Sequence, residues 1–471
     1  MPDLIEADLC VVGAGSGGLS VAAGAAQLGA RTVLVEKDRM GGDCLNHGCV
    51  PSKSLLAAGH AAQSMREGGR FGVRPVEPEI DFDRVHAHVQ EVIAGIAPHD
   101  SVERFEGLGV TVIKGHARFI DRDRIEVEGR EVRARRLVLA TGSRPAVPPV
   151  DGLDAVPYLT NETVFDLTER PERLLVLGGG PIGTELAQAF RRLGAAVTVA
   201  DMGPILPKDD PELVAVVRRR LLAEGIELRE HARVVAAEAG PALILEDGGG
   251  RQRLEGTHLL LATGRRPNVD DLGLERAGIA FDRNGIQVDA RLRTTNRRVF
   301  AIGDCAGGLQ FTHLAGYHAG IVIRNALFRL PARASTRAIP RVTFTDPELA
   351  SVGLGEAAAA AEGRKVEVLR WAFADNDRAR TERRTEGLVK AVVSPRGRVL
   401  GGAIVGAHAG ELILPWVLAV ERRLKLGALA NLVAPYPTLG EVTKRVAGSW
   451  FTPRLFSART RRLVRLLAWL P

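Results

Sequence analysis

At 471 residues, 45% apolar and 25% charged, the chain has the composition of a globular protein of about three domains. Its four cysteines are too few for a disulfide scaffold, and no apolar run reaches the roughly eighteen residues that cross a bilayer. The formal charge of +7 is local: seven of the 63 Lys and Arg, and none of the 56 Asp and Glu, fall in residues 442–471, so the rest of the chain is balanced. That distribution argues against a nucleic-acid partner and singles out the tail. The N-terminal MPDLIEADLC has acids where a secretory leader would have bases, and a cytoplasmic, reducing compartment is expected.

The first element read along the chain is LCVVGAGSGGLSVAAGAAQLGARTVLVEKD from Leu9. A short apolar run, glycines at G-x-G-x-x-G spacing, an alanine-rich helical stretch and a second apolar run ending in an acid predict strand, tight turn, helix, strand. The same pattern returns at Leu174 as LLVLGGGPIGTELAQAFRRLGAAVTVADMG, without a gap, 165 residues on. Gly13, Gly15, Gly18 and Glu36 fall on Gly178, Gly180, Gly183 and Asp201. Glycines let a backbone approach a pyrophosphate, a helix N-terminus offers unpaired N–H groups, and the acid binds ribose hydroxyls.

Between the two copies lies GGDCLNHGCVPSKSLL, with four residues between Cys44 and Cys49, then Lys53, at what reads as the start of a helix. Closing so short a ring adds little stability, so in a reducing compartment a disulfide that cycles is the better reading. A helix N-terminus and Lys53 would both lower a thiol pKa. Cys10, on the first strand, and Cys305 read as structural.

LVLATGSRP at Leu137 and LLLATGRRP at Leu259 then close each copy with the same strand and turn. The Pro-rich RPAVPPVDG after Gly142 reads as a crossing between domains. The second module is therefore expected as an insertion over 150–267, within a first domain of 1–149 and 268–341. A further unit is expected over 342–449 and a basic amphipathic tail over 450–471. Two dinucleotide sites in one chain imply hydride transfer between a nicotinamide and a flavin.

GGDCLNHGCVPSK resembles the active-site signature of the class I pyridine nucleotide–disulfide oxidoreductases, the family of glutathione reductase, lipoamide dehydrogenase and mercuric reductase. The resemblance runs to about residue 449 and includes AIGDCAGG around Asp304 and TDPELASVG. It implies an α/β fold of two Rossmann-like domains, for FAD and NAD, with a C-terminal α+β dimerisation domain and a homodimer. It implies that Gly13, Gly15, Gly18 and Glu36 hold the ADP part of FAD and that Asp304 contacts the ribityl chain. Gly42, Ala117, Gly142 and Gly264 complete the cofactor-binding set. Cys49 would be the thiolate against the flavin and Cys44 the outer thiol. Lys53, paired with Glu185, would sit near the flavin and favour its reduced form. Gly178, Gly180 and Gly183 would cradle the nicotinamide nucleotide. Asp201, which would repel a 2′-phosphate, points to NADH, with NADPH as the alternative.

The pattern departs near the C-terminus. Where disulfide reductases of this kind carry His-Pro-Thr with a Glu five residues after the His, this chain reads VAPYPTLGE, with Tyr436 at the His position and Glu441 at the Glu position. A phenol with pKa about 10 is a poor base at neutral pH. Mercuric reductases resemble the chain here, and FTHLAGYHA after Gly308 points to the same branch. The expectation is therefore an NADH-oxidising, mercuric-reductase-like flavoenzyme with a small electron acceptor. Cys44 and Cys49 would be its only transient soft-metal ligands, and no structural metal is expected. The alternatives are a dihydrolipoamide dehydrogenase-like enzyme, a quinone reductase or a flavin redox sensor. In the tail, Leu463, Leu466, Leu467 and Leu470 recur at helical spacing among arginines. Two readings stay open: a helix packed on the partner subunit, or a weak peripheral contact at the inner face of the membrane.

Overall fold

The two glycine-rich segments fold as the same unit, in the same register. The structure is a computed structural model that describes residues 4–470. Leu4–Val12, Ser16–Gln27 and Thr32–Glu36 form the first strand, helix and strand; Arg173–Leu177, Pro181–Arg192 and Ala196–Ala200 form the second. In one copy Leu9 lies opposite Thr32 and Val12 opposite Val35; in the other Leu174 lies opposite Val197 and Leu177 opposite Ala200. The ATG-terminated strands pair equivalently, Val12 with Leu139 and Leu177 with Leu261. Leu9, Cys10 and Val11 are fully buried, as strands covered on both faces must be apolar throughout.

Three principal sheets result. The first has seven strands, in the order Val110–Lys114, Thr32–Glu36, Leu4–Val12, Arg130–Leu139, Arg124–Val127, Arg118–Phe119, with Val299–Ala301 also parallel to Arg130–Leu139. The second is a four-stranded parallel sheet, Glu227–Arg229, Ala196–Ala200, Arg173–Leu177, His258–Leu261, accompanied by a three-stranded antiparallel sheet over 233–255. The third is a five-stranded antiparallel sheet built from residues 341–406 around buried Trp416 and Phe373. Ser143–Pro145 and Arg265–Pro267 pair antiparallel, so the chain enters and leaves the second unit side by side.

Two helices of the first unit, Cys49–Glu67 and Phe82–Ile96, share a core with Pro181–Arg192 of the second through Leu55, Leu56, Phe82 and Phe190. That packing fixes the cysteine-bearing helix against the second nucleotide unit. At the other end Glu441–Ser449 buries Val442, Val446 and Ala447 in the third core, whereas the last helix, Ala458–Leu467, buries nothing. Among the described residues no helix is long and apolar enough to cross a membrane.

Candidate active site

A cleft of about 1220 Å³ runs between the three units and is lined by both glycine turns and by Cys44 and Cys49. Of the residues singled out in the sequence, Gly13, Gly15, Glu36, Gly42, Lys53, Ala117, Gly142, Gly178, Gly180, Glu185, Asp201, Gly264 and Asp304 also line it. Gly18 and Gly183 do not. They sit where helix meets strand, and a Cβ at either would collide with the carbonyl oxygen of Gly13 or Gly178. The middle glycines differ: a Cβ at Gly180 would meet no protein atom within 4 Å, and at Gly15 only Gly42 Cα at 3.9 Å. Protein packing does not demand glycine there. A ligand lying against the backbone would.

The acids close each turn. Glu36 accepts from the amides of Ala14 (2.6 Å) and Asp38 (2.8 Å); Asp201 accepts from those of Gly179 (2.7 Å) and Gly203 (2.8 Å). A carboxylate has about four lone-pair sites, so each keeps capacity for ribose hydroxyls.

Cys44 and Cys49 do not share a helix. Gly42–Asn46 forms a short helix, the backbone breaks at Gly48, and a new helix begins at Cys49. The break has a geometric reason: residues five apart on one helix point about 140° away from each other, which would keep the thiols apart. Both thiols are free in this structure. The pair is asymmetric. The Cys44 hydrogen bond pulls the Cys49 thiol down to about 6 against the cost of burial, with help from the Thr312 hydroxyl and the Lys53 charge. Cys44 is pushed up by the same hydrogen bond and by burial. Thr312, first residue of the helix Thr312–Ala326, places Oγ1 3.4 Å from Cys49 Sγ.

Lys53 Nζ lies 2.7 Å from buried Glu185 and 4.4 Å from the centre of the Phe344 ring; the other Glu185 oxygen accepts from the Phe344 amide at 2.9 Å. One cation thereby ties all three units together beside the cysteines. Asp304 accepts from Ser143 Oγ at 2.5 Å, and burial raises its pKa. Arg265 donates to Ser143 and pairs with Asp43 at 3.1 Å, while Asn161 also donates to Asp43.

Thr312, Asp43, Asn161, Ser143 and Arg265 were not singled out in the sequence. Thr312 sits in FTHLAGYHA and Asp43 inside the cysteine motif, but Thr312 and Cys49 are 263 residues apart, and nothing local signals their contact.

Tyr436 and Glu441 do not line the cleft of their own chain. Tyr436 is 69% exposed, and its hydroxyl donates to Asp377 at 3.2 Å. The Asp377 charge raises the phenol pKa further, as does the charge of Glu441, so deprotonation is harder than for a free tyrosine. Cys10 and Cys305 are fully buried, and burial pushes both thiols up, Cys10 to about 12. Among the described residues no cluster of three or more His, Cys, Asp or Glu is disposed to hold a metal ion.

Residues 7–319 match the family described as pyridine nucleotide-disulphide oxidoreductase, and residues 339–447 match its dimerisation domain. The chain belongs to this family: it is an FAD-dependent pyridine nucleotide–disulfide oxidoreductase, with FAD- and NAD-binding domains and a C-terminal dimerisation domain. It is 36% identical to the mercuric reductase of Streptomyces lividans over 93% of this chain and 95% of that one. It is 35% identical to the dihydrolipoyl dehydrogenase of Geobacillus stearothermophilus over 94% and 96%. Among solved structures, LpdA from Mycobacterium tuberculosis superposes with a TM-score of 0.85 at 28% identity, covering 95% of this chain and 99% of that one. The Cu(II) complex of the HOCl-induced flavoprotein disulfide reductase RclA from Escherichia coli gives 0.83 at 28%, covering 93% and 99%. Members of the family use FAD and NAD(P)H, and the open glycine cradles of this cleft fit both.

Proposed function

We propose that the enzyme oxidises NADH and delivers two electrons through Cys44 and Cys49 to a soft metal ion, as a mercuric-reductase-like reductase of Hg(II) to Hg(0). The observation that carries this reading is Tyr436. A disulfide acceptor needs a base that takes up and returns protons at the thiols, and a phenol held protonated beside Asp377 is unsuited to that work. A metal ion needs thiolate ligands instead, and Cys49 is poised as one.

Bound FAD supplies the two-electron relay between nicotinamide and cysteines. We assign Gly13, Gly15 and Glu36 to its ADP part and Asp304 to its ribityl chain, with Gly42, Ala117 and Gly142 beside them, while Gly18 acts behind them by letting the helix pack on the strand. Gly178, Gly180, Gly264 and Asp201 hold NADH, Gly183 supports the turn by letting the helix pack on the strand, and Asp201 disfavours a 2′-phosphate. Lys53, steadied by Glu185, sets a positive charge where electrons arrive. Cys49 is the inner thiolate and Cys44 the outer thiol. We place the domain boundaries at 149/150, 267/268 and 341/342 and take the working unit as a homodimer, with Glu441 and Tyr436 facing the partner's cleft.

NADH oxidation by the purified holoenzyme, run in parallel against Hg(II), Cu(II), lipoamide, glutathione disulfide and a quinone, tests the reading. Cu(II) is included because RclA forms a complex with it. Sustained turnover with a metal ion and slow turnover with both disulfides is expected. Rapid disulfide reduction without metal turnover would overturn it, and a single reduction event with every acceptor would indicate a redox sensor.

A further inference from the structure

The tail plays no part in the chemistry above. The chain is fastened to the body as far as Arg454, which reaches Glu367 at 3.1 Å and lies over the Trp450 ring at 3.7 Å. Beyond it the helix Ala458–Leu467 starts from its own cap, Ser457 Oγ accepting from the Thr460 amide at 3.3 Å. None of its residues is buried. Leu463, Leu466, Leu467 and Leu470 are all at least half exposed and fall within an arc of about 100° on one face. Phe456 and Trp469, also exposed, flank the row. By helical spacing Arg461 and Arg465 lie on the opposite side, Arg462 lies at the flank of the row and Arg459, in the first turn, falls within its arc; no acid follows Glu441 in the chain.

We propose that this helix docks the enzyme on an anionic lipid surface. A ten-residue helix is marginal in water on its own, and this one carries an apolar row that only a partner can cover. Its two faces state the partner's chemistry: an apolar layer lying beneath negative charge. The leucines enter the acyl boundary, the arginines extend to the headgroups, and Trp469 occupies the interface that its amphipathic ring favours. A second copy of the helix is a poorer occupant. It would bring two arginine-rich segments together with no acid in residues 442–471 to offset them, and the match to the dimerisation domain ends at residue 447. A nucleic acid would use the arginines but leave the leucine row uncovered.

The test is co-sedimentation of the full-length holoenzyme with vesicles of phosphatidylcholine alone or mixed with phosphatidylglycerol, at low and high salt. Two variants accompany it, R461Q/R462Q/R465Q and L463S/L466S/L467S/L470S. Because the helix buries nothing, both should keep the wild-type melting temperature and NADH oxidation rate. The wild type should sediment with the anionic vesicles at low salt and be released by high salt. At roughly 1 kcal/mol per arginine near such a surface, the loss of three should lower partitioning about 10²-fold. The leucine variant should lose binding as well. No binding by the wild type, equal binding to neutral vesicles, or equal binding by the variants would overturn the proposal. So would a leucine variant of smaller mass in sedimentation equilibrium, which would show that a second copy covers the row. DNA binding that survives the leucine substitutions, without lipid binding, would overturn it too.

Discussion

Replacing Thr312 by Val tests how the Cys49 thiolate is held. Thr312 Oγ1 lies 3.4 Å from Cys49 Sγ, and Val keeps the shape of the side chain while removing the donor. The Cys49 thiol, ordinarily near 9.0, is drawn down to about 6. The sign follows directly: thiolate is present above about 6 and is lost as the pH falls through that value. At pH 7 such a group is about nine-tenths thiolate, against about one-hundredth for an unperturbed thiol. Hydrogen bonds to charged acceptors contribute about 1.5–3 kcal/mol, but this one is long and its sulfur faces an open cleft, so about 1.4 kcal/mol, one pKa unit, is the reasonable loss. Thr312→Val should therefore titrate near 7, with the thiolate fraction at pH 7 falling to about one half. The rate of iodoacetamide alkylation of reduced enzyme, followed against pH with Cys49 identified by peptide mass, reads this out. Wild-type alkylation that rises only near pH 9, or a midpoint unmoved by Thr312→Val, would refute the reasoning.

Other expectations follow from the same geometry. Two-electron reduction of the holoenzyme should produce a long-wavelength charge-transfer band that Cys49→Ser abolishes and Cys44→Ser retains; a band surviving in Cys49→Ser would reverse the two roles. The wild type should show a higher kcat/KM with NADH than with NADPH, and Asp201→Asn with an arginine placed nearby should narrow the ratio about ten-fold or more. A wild-type preference for NADPH would contradict the role given to Asp201. Tyr436→His should raise lipoamide turnover about 10²-fold if imidazole restores a proton carrier beside Glu441, and an unchanged rate in an intact dimer would remove Tyr436 from the argument.

Much of this protein could be read locally. Each glycine turn is a local steric object: Gly13 and Gly178 adopt positive φ, and Gly18 and Gly183 let a helix lie on a strand. The repeat therefore carried the strand–helix–strand units, their register and the dinucleotide chemistry within some thirty residues each. The cysteine motif signalled the neighbouring thiols and the helix start in the same way, and the structure adds a break at Gly48 between two helices. The excess charge of the tail and its leucine spacing were likewise properties of adjacent residues.

What tertiary structure alone decided is the set of contacts between elements distant in the chain. Thr312 reaches Cys49 across 263 residues, and Asn161 reaches Asp43 across 118. No spacing encodes these, because they depend on how the sheets close around the cleft. Asp377 beside Tyr436 belongs to the same class, and it is what turns an unfavourable base into a worse one. The Lys53–Glu185 pairing lies between these cases: the family resemblance suggested it, but only the packing of Cys49–Glu67 against Pro181–Arg192 brings the two charges to 2.7 Å. Periodicity is a property of neighbours in sequence, whereas a thiol's pKa is set by whichever charges and donors the fold places around it.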